Sequence, residues 1–180
     1  MVRLVRRAEN AARGTDFVRS GNWHGNRTTW RMCLDLNRVL YYSDRDESHF
    51  DSESPIHPVL SVLDGVVAGE GEGPLAPVDR RLGVVLASVD PIALDLAAVR
   101  LMGFDESRIP KISETMATPG LRLSSVGSVA DVEVREVIEG SFETRAVPLA
   151  DLIPEECFAA HPGWQGHVEM RSGGTASCAE

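Results

Sequence analysis

The sequence predicts an α/β domain in which a mixed or mainly parallel sheet is flanked by helices. Two short apolar runs, PVLSVLD at residues 58–64 and LGVVLASVD at residues 82–90, carry this prediction. Nearly continuous apolar runs of this length are typical of strands that are buried on both faces. With 180 residues, of which 43% are hydrophobic and 25% charged, the chain can bury such a core within one domain.

The predicted domain spans residues 1–170, and a frayed tail is expected at 171–180. It divides into a helical part at 1–42, an acidic loop at 43–57, a βαβ-like core at 58–107 and a mixed C-terminal part at 108–170. In the C-terminal part, alternating apolar and charged residues predict a strand at 131–138, and residues 148–154 suit a short helical turn.

The helix predicted at residues 28–42 has one mainly apolar face and one charged face. Three- and four-residue steps place these residues on the apolar face: Trp30, Cys33, Leu34, Asn37, Leu40 and Tyr41. On the charged face, arginines of adjacent turns can pair with Asp35. Asn26 or Thr28 is expected to cap the helix, because a short polar side chain can accept a hydrogen bond from a backbone N–H of the first turn.

A second helix is predicted at residues 91–102. Asp90 suits its N-cap, Pro91 its first helical position and Gly103 the position just past its end. About 18 residues separate the two predicted strands, barely more than the dozen that a parallel crossover needs. An antiparallel hairpin is therefore the open alternative, and it would separate the aspartates at the two strand ends.

Composition and charge exclude several classes of function. With 27 acidic against 18 basic residues, the net charge is -9 and the isoelectric point near 5.0, which disfavours nucleic acids and anionic membranes as partners. No apolar run approaches the roughly 20 residues that span a bilayer, so a cytoplasmic location is expected. Cys33, Cys157 and Cys178 form no C-x-x-C motif and are expected to be reduced thiols.

Three aspartates are candidates for a catalytic site. Asp64 and Asp90 both follow the C-terminal ends of predicted strands, where open α/β sheets bind ligands. Asp95 falls within the apolar stripe of the second helix, so its carboxylate needs a partner. The structural alternatives are a helix cap for Asp90, a turn for Asp64 and a hydrogen bond to backbone for Asp95.

The glycine-rich stretch GEGEGP at residues 69–74 is a candidate ligand-binding loop. The backbone N–H groups around Gly71 and Gly73 could contact an anion, and Glu70 or Glu72 could bind a divalent cation. The stretch lacks both the Walker pattern and the G-x-G-x-x-G spacing. A flexible acidic turn is the structural alternative.

Histidines supply the remaining candidates. The turn SGNWHGN at residues 20–26 is expected to aim His24 at the same crevice as the three aspartates, with Asn26 beside it, although loop histidines are often simply exposed. The segment HPGWQGHVE at residues 161–169 brings together two histidines and a carboxylate, whose spacing matches no standard zinc motif. The candidate divalent-metal ligands are Asp64, Asp95, His161 and His167.

Several motifs in order give the chain a family resemblance over residues 21–169. SGNWHGNRTTWRMCLDLNRVL, SVLDGVVAGEGEGP and VVLASVDPIALDLAAVRLMGF together resemble the family known as domain of unknown function 362, and HPGWQGHVE is similar to its C-terminal ending. Some longer members are fused to a ferredoxin-type iron–sulfur module, which implies redox-linked work. This chain has no four-cysteine run, so no iron–sulfur cluster is expected on it.

The resemblance also implies an incomplete fold, because longer members carry an additional N-terminal α/β portion. A homo-oligomer or an N-terminal partner chain is therefore expected, together with an apolar patch that it covers. The positions that match the family motifs are His24, Gly25, Asn26, Asp35, Asn37, Asp64, Gly65, Gly71, Gly73, Pro74, Asp90, Pro91, Asp95, Gly103, Gly163, Trp164 and His167. Two hypotheses remain open: a metal-assisted or redox-linked enzyme domain, and a non-catalytic domain that needs a partner chain.

Overall fold

The computed structural model describes residues 20–44, 54–117, 120–152, 154 and 156–170, which form a mixed α/β arrangement. The helices are α1 (Thr29–Tyr42), α2 (Pro91–Leu101) and α3 (Pro110–Ala117). The strands are β1 (Ser61–Gly65), β2 (Ala68–Glu72), β3 (Ala76–Arg80), β4 (Val84–Ser88), β5 (Glu133–Val137) and β6 (Thr144–Pro148). Single 3-10 turns occur at Glu106–Arg108, Val129–Asp131 and Leu149–Asp151.

Within these ranges, the strands form three antiparallel two-stranded ribbons. The two predicted core strands do pair, as β1 with β4, but their register runs from Ser61 opposite Ser88 to Gly65 opposite Val84. The described residues therefore do not confirm a mixed or mainly parallel sheet. The physical reason is that the segment between β1 and β4 forms its own hairpin, β2–β3, and supplies no crossover helix.

The glycine-rich stretch forms strand β2 and the turn that follows it. Gly69 faces Pro77 so closely that an added Cβ would lie 2.8 Å from the proline Cβ. Gly71 has a φ of +75°, which favours glycine. The Gly73–Pro74 peptide, at the start of the turn, is cis.

Helix α2 packs on the inner face of the β1–β4 ribbon and carries the main core. Asp90 caps it and Pro91 begins it, as predicted, and Gly103 follows its end with a φ of +76°. The buried members of this core are Ile92, Leu96, Ala97, Val99, Ile112, Val126 and Leu149. The predicted start, end and apolar stripe of α2 are therefore confirmed.

The outer face of the β1–β4 ribbon is open to solvent and mainly apolar, with Asp64 opposite Val85 as a charged member. Its exposed apolar side chains are Leu60, Val62, Val85 and Val89, each more than 60% exposed. The prediction that these strands are buried on both faces is therefore wrong: one face packs on α2, while no element among the described residues covers the other. We use the name outer face for the surface formed by these four side chains.

Helix α1 buries a narrower stripe than predicted. Leu34, Tyr41 and Tyr42 pack with Leu123 in a second core cluster. Leu40 is 59% exposed, so its assignment to the buried face was wrong. The predicted pair of Asp35 and Arg38 forms, with 2.8 Å between oxygen and nitrogen. The polar member of the apolar face, Asn37, donates a hydrogen bond to the Cys33 carbonyl.

The C-terminal part contains a ribbon and an irregular segment. Strand β5 and the 3-10 turn Leu149–Asp151 lie where a strand and a short helical turn were predicted. The frayed tail, most of the helical start before α1 and the centre of the acidic loop lie outside the described residues. Cys33 is a free thiol, but Cys157 is disulfide-bonded, so the expectation of reduced thiols is wrong for Cys157.

Candidate functional site

A cavity of about 380 Å³, which we call the Lys111 cavity, lies beside α2. Its walls are mainly apolar, and they consist of Leu63, Ala98, Val99, Met102, Phe104, Ile109, Ile112, Ala160, Trp164 and Val168. Three ionisable residues also line it: Asp95, Lys111 and His161. The cavity thus combines a largely hydrophobic interior with a few polar groups, as small-molecule sites do.

Asp95 has the partner that its position in an apolar stripe required. Its Oδ2 lies 2.8 Å from Nζ of Lys111, in the first turn of α3. The two side chains are 33% and 43% exposed, so solvent screens the pair and its net contribution to stability is about 0–1 kcal/mol. At the cavity, the Asp95–Lys111 pair places a hydrogen-bond acceptor and a hydrogen-bond donor side by side.

His161 is fixed by the turn that follows it. Its Nδ1 accepts a hydrogen bond from the backbone N–H of Gly163 at 3.1 Å, so the neutral ring carries its proton on Nε2. The N–H groups of Trp164 and Gln165 donate to the His161 carbonyl. Of the predicted site residues, Asp95 and His161 are the two that line the same cavity.

A second cavity, of about 430 Å³, lies near the N-terminus of α2, and we call it the Tyr41 cavity. Its walls come from the end of α1, residues 54–59, the start of α2 and residues 122–125. Asp90 lines this cavity and not the Lys111 cavity. Asp90, the N-cap of α2, and Asp95, within α2, therefore line different cavities.

Asp90 serves a structural role that accounts for its partly buried carboxylate. Its Oδ1 accepts from the N–H groups of Ile92 and Ala93, which caps α2. The two oxygens also accept from the Ser124 hydroxyl at 2.8 and 2.9 Å and from the Ser125 N–H and hydroxyl at 2.8 and 3.0 Å. Burial alone would raise the pKa of Asp90, but these hydrogen bonds, with that of Ser124 first, hold the pKa below its usual range.

Asp64 lies away from the other two aspartates. It is exposed, and its Oδ1 accepts from the N–H of Val66 at 3.0 Å, which opens the turn after β1. It pairs in register with Val85, whereas Asp90 follows the far end of β4, so the two carboxylates lie about 15 Å or more apart along the ribbon. The expected convergence of Asp64 and Asp90 at one sheet edge therefore does not occur.

The turn at residues 20–26 docks on the C-terminal segment. The His24 N–H donates to the Gly163 carbonyl at 3.0 Å, and its ring stacks on that of His167 with 3.3 Å between centroids. Nε1 of Trp164 donates to Oδ1 of Asn22 at 2.9 Å. Within the described ranges, no hydrogen bond or ion pair joins His24 to the three aspartates. The two histidine-containing motifs therefore contact each other, while the predicted crevice shared with the aspartates is not formed.

Asn26 and Gly25 shape this turn. Oδ1 of Asn26 accepts from the N–H groups of Thr28 and Thr29, at 2.7 and 3.1 Å, while its Nδ2 donates to the Gly21 carbonyl. Asn26 therefore performs the capping that the sequence predicted for it or Thr28. A Cβ at Gly25 would lie 1.9 Å from the ring of Trp23, so the ring occupies the place of a side chain.

Glu70 and its neighbour Gly71 also bind the C-terminal segment. Oε2 of Glu70 accepts from the N–H of Ala159 at 2.9 Å, and the Gly71 N–H donates to the Ala159 carbonyl at 3.0 Å. Arg80 lies 3.7 Å from Glu70 and forms a closer ion pair, at 2.8 Å, with Glu156. These contacts give Glu70 and Gly71 a structural role in attaching the β2–β3 hairpin.

Several residues that line the cavities had no distinctive local pattern in the sequence. Lys111 lies in α3, a helix that was not predicted, and its contact with Asp95 was not predicted either. Tyr41 was expected to be buried, and Arg122 and Ser124 had no predicted role. The described part of the chain holds no cluster of three or more histidine, cysteine or acidic side chains that could bind a metal ion. None of its helices is long and apolar enough to cross a bilayer.

Comparison with known proteins gives a family match in the N-terminal half of the chain. Residues 13–100 match the family described as Domain of unknown function (DUF362), which confirms the resemblance over that stretch. A thylakoid-associated protein of Synechocystis sp. (strain ATCC 27184 / PCC 6803 / Kazusa) is 36% identical over 63 residues, covering 35% of this chain. The match spans 20% of that relative's length. No solved structure gives a significant match.

Proposed function

We propose that this domain binds a small molecule with an apolar body and one neutral polar end in the Lys111 cavity. The observation that carries the proposal is the combination of an apolar cavity of about 380 Å³ with a single carboxylate–ammonium pair in its wall. Cavities of this size and character are the usual form of small-molecule sites in proteins.

The Asp95–Lys111 pair favours a neutral polar end. Its two charges offset each other, and the short 2.8 Å contact leaves neither free to balance the charge of a ligand. A hydroxyl can donate to Asp95 and a carbonyl can accept from Lys111 without breaking the pair. A charged ligand group would face a pair whose two charges already offset each other, so it would gain little net attraction unless it separated the pair.

A metal-assisted or redox-linked reaction remains an additional proposal for the same cavity. Asp95 and His161 are the predicted site residues that would serve it, since both line the cavity. A titration with Zn²⁺ tests the metal version: stabilisation of the wild type that is lost in Asp95→Asn would support it. No change in melting temperature in either protein would remove it.

Matched probes test the binding proposal. Naphthalene, 2-naphthol and 2-naphthoate share one apolar body and differ in the polar end. We expect 2-naphthol to bind most tightly, about ten-fold more tightly than 2-naphthoate, and to shift the methyl NMR signals of Ile109 and Ile112, which line the cavity. If none of the three shifts these signals up to its solubility limit, the proposal is wrong.

Two variants test separately whether the probes need the cavity itself and whether they need the Asp95–Lys111 pair. Ala98→Phe fills the cavity and should abolish binding of all three probes, whereas Ala130→Phe, at an exposed alanine elsewhere, should not. The double variant Asp95→Leu with Lys111→Met should still bind naphthalene but lose the preference for 2-naphthol. The matching control is Asp35→Leu with Arg38→Met, which removes an ion pair on α1 that does not line the cavity.

A second candidate function, completion of the domain by another chain, is favoured by the outer face of the β1–β4 ribbon. Leu60, Val62, Val85 and Val89 form an apolar surface of a kind that monomers seldom leave open. We propose a second copy of this chain as the covering partner, since two such faces can pack as a small sandwich.

Sedimentation velocity over a wide concentration range tests this second candidate. A concentration-dependent dimer that Val62→Lys converts to monomer would support it. Arg135→Gln, on the separate β5–β6 ribbon, is the control and should leave the dimer intact. A wild type that stays monomeric throughout would contradict a dimer and leave the small-molecule proposal untouched.

The cytoplasmic location also stays a proposal. The acidic composition and the absence of any long apolar run led to it. The disulfide at Cys157 argues in the opposite direction, because disulfides persist mainly in oxidising compartments. Fractionation of the native host with a specific antibody decides the question: recovery in the cytosolic fraction supports the proposal, and recovery elsewhere removes it.

A further inference from the structure

We infer that the Tyr41 cavity is a separate site for a small carboxylate with an apolar body, held by the Arg122 guanidinium and the Tyr41 hydroxyl. This cavity, of about 430 Å³, lies at the opposite end of α2 from the Lys111 cavity. Four observations support the inference: a hydroxyl that lines the cavity and bonds no described residue, a guanidinium that pairs with no described residue, a rigid wall and apolar surroundings.

Tyr41 supplies the first observation. Its side chain lines the cavity and is only 5% exposed, yet its hydroxyl makes no hydrogen bond within the described ranges. Because the hydroxyl opens to the cavity and has no described partner, a ligand there can accept its hydrogen bond in place of solvent. Burial, followed by the charges of Asp90 and Asp95, raises the pKa of Tyr41, so the phenol keeps its proton and is a donor at neutral pH.

Arg122 supplies the second observation. It lines the same cavity, and its guanidinium forms no ion pair or hydrogen bond with any described residue. Its backbone is fixed, because the Tyr42 hydroxyl donates to the Arg122 carbonyl at 2.5 Å. A planar guanidinium with several free N–H groups binds a planar carboxylate through two parallel hydrogen bonds.

Asp90 makes the wall rigid and sets the charge of the ligand. Its two oxygens accept hydrogen bonds from Ile92, Ala93, Ser124 and Ser125, so they are already saturated. These bonds join the start of α2 to the segment that carries Arg122. The negative charge of Asp90 in the same wall disfavours a dianion, so a singly charged carboxylate is preferred to phosphate.

The remaining lining residues accommodate an apolar body. Val59, Val89, Pro91 and Leu123 contribute hydrocarbon surface around the polar groups. A ligand with a ring or short chain next to its carboxylate would bury apolar area and satisfy Tyr41 and Arg122 together. Benzoate is the simplest probe with both parts.

Backbone amide NMR with benzoate tests the site. We expect benzoate to shift the amide signals of Leu123, Ser124 and Ser125, while benzyl alcohol, the neutral counterpart, and inorganic phosphate bind at least about ten-fold more weakly. Phosphate binding as tight as benzoate binding would overturn the assignment to carboxylates. The absence of any benzoate-dependent shift at these amides up to about 20 mM, a concentration that detects even weak complexes, would overturn the site itself.

Variants test the roles of the two donors. Arg122→Gln and Tyr41→Phe should each weaken benzoate binding by about ten-fold, since each removes a hydrogen bond to a charged group. Because the Tyr41 hydroxyl has no partner in the described structure, Tyr41→Phe should leave the melting temperature unchanged. Arg135→Gln, an exposed arginine paired with Glu133, is the control and should bind like the wild type.

Unchanged benzoate affinity in both cavity variants would overturn the assignment, and so would a Tyr41→Phe effect confined to stability. The Ile109 and Ile112 methyl signals should not respond to benzoate, because they line the other cavity. Failure of this inference is thereby distinguishable from failure of the binding proposed for the Lys111 cavity.

Discussion

The imidazole rings of His24 and His167 stack with 3.3 Å between their centroids and 14° between their planes. One ring belongs to the turn before α1 and the other to the C-terminal segment, so the contact joins two distant motifs. The backbone bond from His24 to Gly163 and the side-chain bond from Trp164 to Asn22 lie beside it. These contacts explain why the two motifs occur in one domain without requiring catalysis by either histidine.

A double-mutant cycle should detect this stacking. His24→Ala and His167→Ala should couple by about 0.5–1 kcal/mol in urea unfolding, the range found for packed aromatic rings. His57, whose ring bonds the Ser43 carbonyl, supplies the control cycle with His24. Coupling in the control cycle equal to that of the stacked pair would contradict the contact.

Asp90 should contribute more to stability than Asp64. Asp90→Asn removes the charge that accepts hydrogen bonds from five donor groups and should lower the free energy of unfolding by about 1–2 kcal/mol. Asp64→Asn affects one bond at an exposed turn and should change it by less than about 0.5 kcal/mol. Equal effects in chemical denaturation would contradict the structural role assigned to Asp90.

Acid should destabilise the domain through Asp90. Because its folded-state pKa is lowered, the carboxylate contributes stability that is fully present above its unfolded pKa of about 3.9 and is lost as the pH falls through the folded value. The melting temperature of the wild type should therefore drop below about pH 4. Asp90→Asn should show a smaller drop over the same range, and an identical drop would speak against Asp90 as the group responsible.

Gly25 should tolerate no larger residue. Gly25→Ala places a Cβ 1.9 Å from the Trp23 ring, so the ring must move and the turn that carries His24 must change. We expect a loss of at least about 1 kcal/mol of unfolding free energy. Gly127→Ala is the matched control, since its Cβ would meet only Asp131 at 3.4 Å and its φ is not positive. A Gly25→Ala protein as stable as this control would contradict the packing.

The features that could be predicted from the sequence depend on local chemistry. The cap and first position of α2 were predictable because Asp90 and Pro91 act within one helical turn. The need of Asp95 for a partner followed from its position in an apolar stripe, but the identity of Lys111 did not, because the two residues meet only after α3 packs against α2.

Features that depend on distant packing were predicted less well. Helix α1 carries apolar residues beyond its buried stripe, so periodicity alone did not show that Leu34 and Tyr41 are buried while Leu36 and Leu40 are exposed. The direction of β4 relative to β1 was likewise undetermined, because a short glycine-rich segment can form either a crossover or a hairpin. That direction decided the separation of Asp64 from Asp90.

The most direct test of the proposed function is the position of bound 2-naphthol, measured by intermolecular nuclear Overhauser effects in the wild-type chain. We predict contacts from the ring protons to the methyl groups of Val99, Ile109 and Ile112, which line the Lys111 cavity beside Asp95. These contacts should disappear in Ala98→Phe and persist in Ala130→Phe. Contacts only to methyl groups outside this cavity, or none at saturating 2-naphthol, would contradict a small-molecule site there.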